Sequence, residues 1–279
     1  MSGPLKVCVL GSGSSGNATV VSCESEALLI DAGLSARRMT ERLAEAGTPV
    51  DHVRAICVSH EHSDHISGIR VLHRRHGIPL YANGGTIDAL CRNPELAELP
   101  WNRFATGHAF PVGPFRIESF SVPHDAYDPV GFIVHHGESR VGVVTDMGMV
   151  TALIRERLRT CHAIVVESNH DEQLLQEATR PWSLKQRIRG RQGHLSNRAA
   201  ATLLEEIASP TIQHVFLAHL SEDCNRADLA HETAQAALNR AGYPNVPVSV
   251  ARPDCISSVW CSEVINETNP RPLDVGSRL

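Results

Sequence analysis

The sequence predicts an α/β fold of stacked sheets with helices on their outer faces. Two observations lead there. Short β-branched apolar runs recur along the 279 residues and alternate with longer stretches of helical periodicity. Both halves of the chain repeat one order, strands first and helices then interleaved. A hydrophobic share of 42% supplies a sizeable core, and no run approaches the roughly 20 apolar residues of a membrane span. Length and pattern suit one domain over 1–265, followed by a polar, proline-containing tail over 266–279.

Residues 6–10 form the first expected strand, and Gly11-Ser12-Gly13-Ser14-Ser15-Gly16-Asn17 follows as a loop too rich in glycine for helix or strand. It leads into a second strand at 18–21, whereas a dinucleotide fingerprint must open a helix. The loop therefore reads as a tight strand-to-strand connection, with a substrate-facing backbone as the alternative. A third strand at 27–30 delivers Asp31-Ala32-Gly33. Asp31 is either a cap for the helix expected over 35–46 or a carboxylate that accepts an imidazole N–H. The run 55–58 makes a fourth strand, and a helix over 67–76 follows it. Further strands are expected at 79–82, 115–122, 131–135, 141–145, 163–166 and 213–217, most of them bounded by Pro, Gly or charged turns. Helices are expected over 149–159, 171–178, 197–208 and 226–241.

After the fourth strand comes His60-Glu61-His62-Ser63-Asp64-His65. Side chains two apart on an extended chain point the same way, so His60 and His62 enter one pocket while Glu61 faces away. Ser63 then reads as an N-cap, which puts Asp64 and His65 in the first turn of a helix facing that pocket. Four metal-type side chains split by a strand-to-helix corner suit two divalent ions, about 3.5–4 Å apart in hydrolytic sites. A merely polar loop in a chain of 16 histidines is the bland alternative. Imidazoles two apart at a strand end argue against it.

The hexapeptide resembles the HxHxDH signature of the metallo-β-lactamase superfamily. That resemblance implies a four-layer αββα sandwich spanning most of the chain. It also implies further ligands: His124 after Ser121-Val122-Pro123, Asp146 after Val143-Val144-Thr145, and His219 after Leu217-Ala218. Each alone could be an ordinary residue at a strand end. The implied assignment is His60, His62, His124 and Asp146 on one ion, with Asp64, His65, Asp146 and His219 on the other. Zinc, manganese or iron would suit those donors. Asp31 would orient a ligand from behind, and Asp64 would position the attacking hydroxide or handle its proton. The glycine loop, Glu167-Ser168-Asn169-His170-Asp171, Gly193-His194-Leu195-Ser196-Asn197 and Ala218-His219-Leu220-Ser221 together resemble the YycJ/WalJ branch. This implies a cytosolic phosphodiesterase, with 5′-to-3′ DNA exonuclease activity proposed for members of the branch.

Residues 180–198 carry Arg180, Lys185, Arg187, Arg189, Arg191 and Arg198 with no acidic residue, although the chain carries a net charge of −5. A basic loop running into a helix at Ser196 suits a phosphate clamp, with Arg187, Arg189, Arg191, Ser196 and Asn197 as contacts. The alternative is a solvated basic face. His194 suits protonation of a leaving oxygen, and His170 either lines the site or simply begins a helix. Aromatics are only 4% of the chain, so contact with DNA falls mainly on its backbone. A small-molecule ester, thioester or lactone hydrolase on the same metals is the second enzyme reading, and a binding protein without turnover is the third. Eight cysteines without a CxxC pair, and no basic apolar leader, point to the cytoplasm and reduced thiols.

Overall fold

The computed structural model describes residues 3–262, so the expected tail over 266–279 lies outside the described residues. One sheet holds β1 (Lys6–Gly11), β2 (Ala18–Cys23), β3 (Glu26–Ile30), β4 (Val53–Cys57), β5 (Leu80–Asn83) and β6 (Trp101–Phe104). A second holds β7 (Ala109–Val112), β8 (Phe115–Ser121), β9 (Val130–His136), β10 (Ser139–Val144), β11 (Ala163–Glu167), β12 (His214–Ala218) and β13 (Val248–Val250). The short β14 (Trp260–Cys261) returns to the first sheet and pairs with β1. In space the sheets run β14-β1-β2-β3-β4-β5-β6 and β13-β12-β11-β10-β9-β8-β7. Strands β3 to β6 are mutually parallel, as are β10 to β13, and the remaining pairs are antiparallel.

Helices α1 (Ala36–Glu45), α2 (Ser63–Ile66), α3 (Ile69–His76), α4 (Gly84–Leu90) and α5 (Pro94–Ala97) belong to the first half. The second half adds α6 (Ala152–Leu158), α7 (Glu172–Glu177), α8 (Trp182–Arg189), α9 (Asn197–Ile207) and α10 (Ala227–Arg240). Period-two alternation builds the layers: Val7 and Val9 of β1 point between the sheets, while Cys8 and Leu10 point outward under α1. Phe115, Phe132 and Phe216 fill the space between the sheets. Truncating the fully buried Phe132 to alanine would cost about 3–5 kcal/mol. Met39, Leu43, Ile69 and Leu72 cover the outer face of one sheet, and Ile154, Leu158, Leu203, Leu204 and Leu238 cover the other. The result is the expected four-layer αββα sandwich.

Three local expectations need correction. The basic segment after Arg180 is not a loop, because Leu184 and Ile188, four apart, pack α8 against Leu175 and Cys224. The helix expected over 67–76 begins at Ile69, after Gly68, and α2 forms a separate single turn before it. Ser63 opens that turn rather than capping it; His62 is the cap residue and makes no side-chain cap bond. Strands β6, β7, β13 and β14 escape sequence pattern because each has four residues or fewer and, unlike the equally short β5, no more than one buried residue, so no apolar run marks it.

Candidate metal centre

Parallel strands send their carboxyl ends to one edge of the sandwich, where the backbone turns away and leaves a crevice. Asp31 follows β3, His60 follows β4, Asp146 follows β10, Glu167 ends β11 and His219 follows β12. Strand β8 runs the same way as β10, because β9 is antiparallel to both, so His124 reaches the same edge.

Potential ligand atoms of His60, His62 and His124 lie within 4.8 Å of one another, and so do those of Asp64, His65, Asp146 and His219. Asp146 connects the two groups. Its Oδ1 is 3.8 Å from His124 Nε2, and its Oδ2 is 3.0 Å from His65 Nε2. Although close, the latter pair is out of line for a hydrogen bond, and Asp146 Oδ2 has no hydrogen-bond partner. Buried His60 Nε2 and His219 Nε2 likewise have none. Unpartnered buried acceptors cost about 1–3 kcal/mol each unless something else satisfies them. Divalent cations fit that requirement, and the donors present are imidazole and carboxylate.

The scaffold turns each ring. Four imidazoles give Nδ1 to a neighbour and leave Nε2 for the crevice: His60 to Ser59 Oγ (2.9 Å), His65 to Asp31 Oδ2 (2.7 Å), His124 to the Gly193 carbonyl (3.1 Å) and His219 to Glu167 Oε1 (2.9 Å). Such partners fix the tautomer and the ring plane. Asp31 also accepts from Ser59 N and Oγ, at 2.7 Å each. The helix-cap alternative for Asp31 does not hold, since Ser35 caps α1. Asp31, Asp146 and His219 all have left-handed backbone, with φ of 61°, 56° and 56°. Non-glycine residues rarely adopt it, and in this fold it aims side chains back over the strand ends.

The glycine-rich loop does more than join β1 to β2. Asn17 donates through Nδ2 to Asp64 Oδ2 (3.0 Å), and its backbone N–H donates to the Asp64 carbonyl (2.7 Å). Its Oδ1 accepts from Ser12 Oγ, which in turn accepts the His219 N–H (2.7 Å). Gly33 lies under the same turn; a Cβ there would meet the Asp64 carbonyl oxygen at 1.6 Å, so only glycine allows the approach.

Glu167 has no exposed surface and receives four groups: the backbone N–H of Met147 (2.8 Å) and Leu195 (3.1 Å), His194 Nδ1 (2.8 Å) and His219 Nδ1 (2.9 Å). Sequence reasoning gave it no role; its one signal is an acidic residue closing the apolar run 163–166. Burial would raise its carboxyl, yet His194 and His219 hold it at about 2. Burial disfavours charge on His219, but Asp146, Asp64 and Glu167 outweigh it and push its pKa up to about 10. His60 is held well below the ordinary histidine value by burial and by His65, so it stays neutral, as a ligand must. The cluster thus concentrates carboxylate charge that calls for cations.

The remaining sequence candidates divide. His194 lies beside the cluster, its ring 5.1 Å from that of His219. Arg187 pairs with Asp125, Nε to Oδ2 at 2.5 Å, next to His124 in the chain. Arg189 ends α8, and Arg191 Nε lies 3.4 Å from Met149 Sδ. Three candidates turn inward instead. Ser196 caps α9 through Ala199 N; Asn197 is knotted with Ser168 and Asn225; His170 is buried, with its pKa lowered to about 4 by burial. The side chains of Ser196 and Asn197 thus bond within the entry turn of α9, whereas buried His170 Nδ1 has no hydrogen-bond partner.

A family model described as the beta-lactamase superfamily domain matches residues 26–220. The chain is 35% identical over 242 residues to exodeoxyribonuclease YycJ of Bacillus anthracis, covering 86% of this chain and 91% of that one. It is also 35% identical over 239 residues to exodeoxyribonuclease WalJ of Streptococcus pneumoniae, covering 85% and 89%. Among solved structures, the metallo-beta-lactamase fold protein YhfI of Bacillus subtilis superposes with a TM-score of 0.71 at 18% identity, over 93% of this chain and all of that one. The last likeness shows the shared fold. Family model and sequence relatives agree: the chain belongs to the beta-lactamase superfamily, in its YycJ/WalJ-like branch.

Proposed function

We propose that this protein is a two-metal phosphodiesterase that removes nucleotides from the ends of DNA. The observation that carries the reading is buried Asp146, whose carboxylate reaches both ligand groups: Oδ2 lies 3.0 Å from His65 Nε2, and Oδ1 lies 3.5 Å from His219 Nδ1 and 3.8 Å from His124 Nε2. The DNA substrate comes from the relatives, which bear the name exodeoxyribonuclease and align over most of the chain. Zinc, manganese or iron would occupy the pair of sites, and bound there would supply Lewis acidity and a water nucleophilic at neutral pH.

The chain's own groups do the rest. His60, His62 and His124 would hold one ion and Asp64, His65 and His219 the other, with Asp146 available to both. Asp64 Oδ2, 3.4 Å from His219 Nε2 and steadied by Asn17, orients the nucleophile and accepts its proton. Glu167 fixes His194 through Nδ1, which leaves Nε2 toward the crevice to protonate the departing oxygen. Arg187, Arg189 and Arg191 meet the phosphate backbone. Eight cysteines without a CxxC pair fit work in the cytoplasm, where thiols stay reduced; no helix among the described residues is long and apolar enough to cross a membrane.

The test is a cleavage screen on end-labelled DNA and RNA, beside lactones and acyl-glutathione, with the metal content of fresh protein measured in parallel. Release of mononucleotides from DNA with about two ions per chain supports the reading. Turnover of lactones or thioesters with DNA left intact at low salt would replace it by a small-molecule hydrolase.

A further inference from the structure

Beside the cluster, α8 and the loops facing it enclose a cavity of about 140 Å³. His194 and His219 line the side toward the cluster, Arg180 and Arg187 the side toward the helix, and Ser14 and Ser221 contribute hydroxyls from the loops after β1 and β12. Asp125 is the acidic residue of the lining. It occupies Arg187 through Nε alone, while Arg180 meets Asp223 through Nη2 at 2.5 Å. A guanidinium has five N–H donors in a planar fork, so each arginine keeps donors for an anion. The cavity therefore combines two guanidiniums, one engaged by Asp125 in the lining and one by Asp223 outside it, with two hydroxyls and a wall shared with the reaction centre.

Size and charge select the occupant. A space of about 140 Å³ has room for a phosphate group. An internal phosphodiester carries one negative charge, whereas a terminal monoester carries about −1.5 to −2 and offers three acceptor oxygens. Two partly engaged arginines match the second better. We propose that the cavity under α8 is a subsite for the terminal phosphate monoester of a DNA strand, which lets the enzyme recognise an end. This rests on the exonuclease reading and adds to it the feature of the substrate that is sensed. Both 5′ and 3′ phosphates present the same chemistry, and the experiment separates them.

Duplexes ending in 5′-phosphate, 5′-hydroxyl, 3′-phosphate or 3′-hydroxyl are compared by kcat/KM. A phosphate at one of the two ends should raise kcat/KM by about 10- to 100-fold, the worth of charge-assisted hydrogen bonds. Arg180→Ala should bring that ratio close to one, and Arg180→Lys should retain part of it, with unfolding midpoints confirming the fold. Binding gives an independent readout: in an Asp64→Ala background, the Kd for a phosphate-ended duplex should fall below that for its hydroxyl-ended twin by a similar factor. Equal rates and equal affinities for both ends would overturn the subsite, as would full preference surviving in both Arg180→Ala and Arg187→Ala. If no DNA is cut but binding still distinguishes phosphate from hydroxyl, the subsite stands and the exonuclease reading falls.

Discussion

The N-terminal sheet delivers His60, His62, Asp64 and His65 from one six-residue corner, whereas the second sheet delivers His124, Asp146 and His219 from three separate strand ends. In the first, relative geometry is set by one strand end, one turn of α2 and their hydrogen bonds to Asp31 and Asn17. In the second, it depends on the register of β8 to β12 and on Glu167, which binds backbone and side chains from three segments. A compact ligand corner is local and strong. A dispersed ligand set needs a buried organiser.

The largest effect should come where the halves meet. Asp146→Ala should lower hydrolysis by roughly 10³-fold or more and reduce the retained metal at both sites, measured by metal analysis after gel filtration. The organisers sharpen the contrast. Asp31→Asn should weaken retention of the ion held by His65 by about 10–100-fold. Glu167→Gln should do the same for the His219 side and also destabilise the fold by about 1–3 kcal/mol, because Gln cannot accept from all four groups. Calorimetric metal titration beside urea unfolding reads both; equal stability of the two variants would erase the proposed difference. Gly33→Ala should cost about 1–3 kcal/mol by pushing the α2 turn away from β3, seen as a lower urea midpoint.

The smallest effect lies away from the cluster. Burial lowers the His214 pKa to about 4, below the ordinary 6.5, with its Nε2 2.9 Å from Ser249 Oγ. The unfolded chain thus binds the proton more readily than the folded one between those values. Stability from this group is complete above pH 6.5 and is lost as pH falls toward 4, amounting to about 1–2 kcal/mol after allowance for partial exposure. Urea midpoints from pH 7 to 4.5 should fall more steeply for the native chain than for His214→Gln.

Much of this architecture was readable beforehand where the signal is local. The strands before Asp31, His60, Asp146 and His219 announce themselves by apolar β-branched runs, and the His60–His65 corner by spacing alone. His124, Asp146 and His219 became legible only through resemblance, since a single ligand at a strand end has no spacing to betray it. Glu167 stayed hidden for the same reason, and its partners are as far apart in sequence as Met147 and His219. Helix α8 was missed because six of its eight residues carry charge, polarity or an exposed ring, leaving Leu184 and Ile188 to make the pattern. Ser196, Asn197 and His170 mark the limit of such reading, because a polar residue beside a site looks alike in sequence whether it faces the crevice or a cap.

The left-handed turns at Asp31, Asp146 and His219 carry a cost of their own, about 1 kcal/mol for each residue so held. Glycine in those three places would relax the chain while emptying the crevice of the carboxylates and imidazole that give it purpose. A chain relieved of that tension would be a sturdier but idle sandwich, so the stability given up at these strand ends is the cost of keeping the crevice furnished.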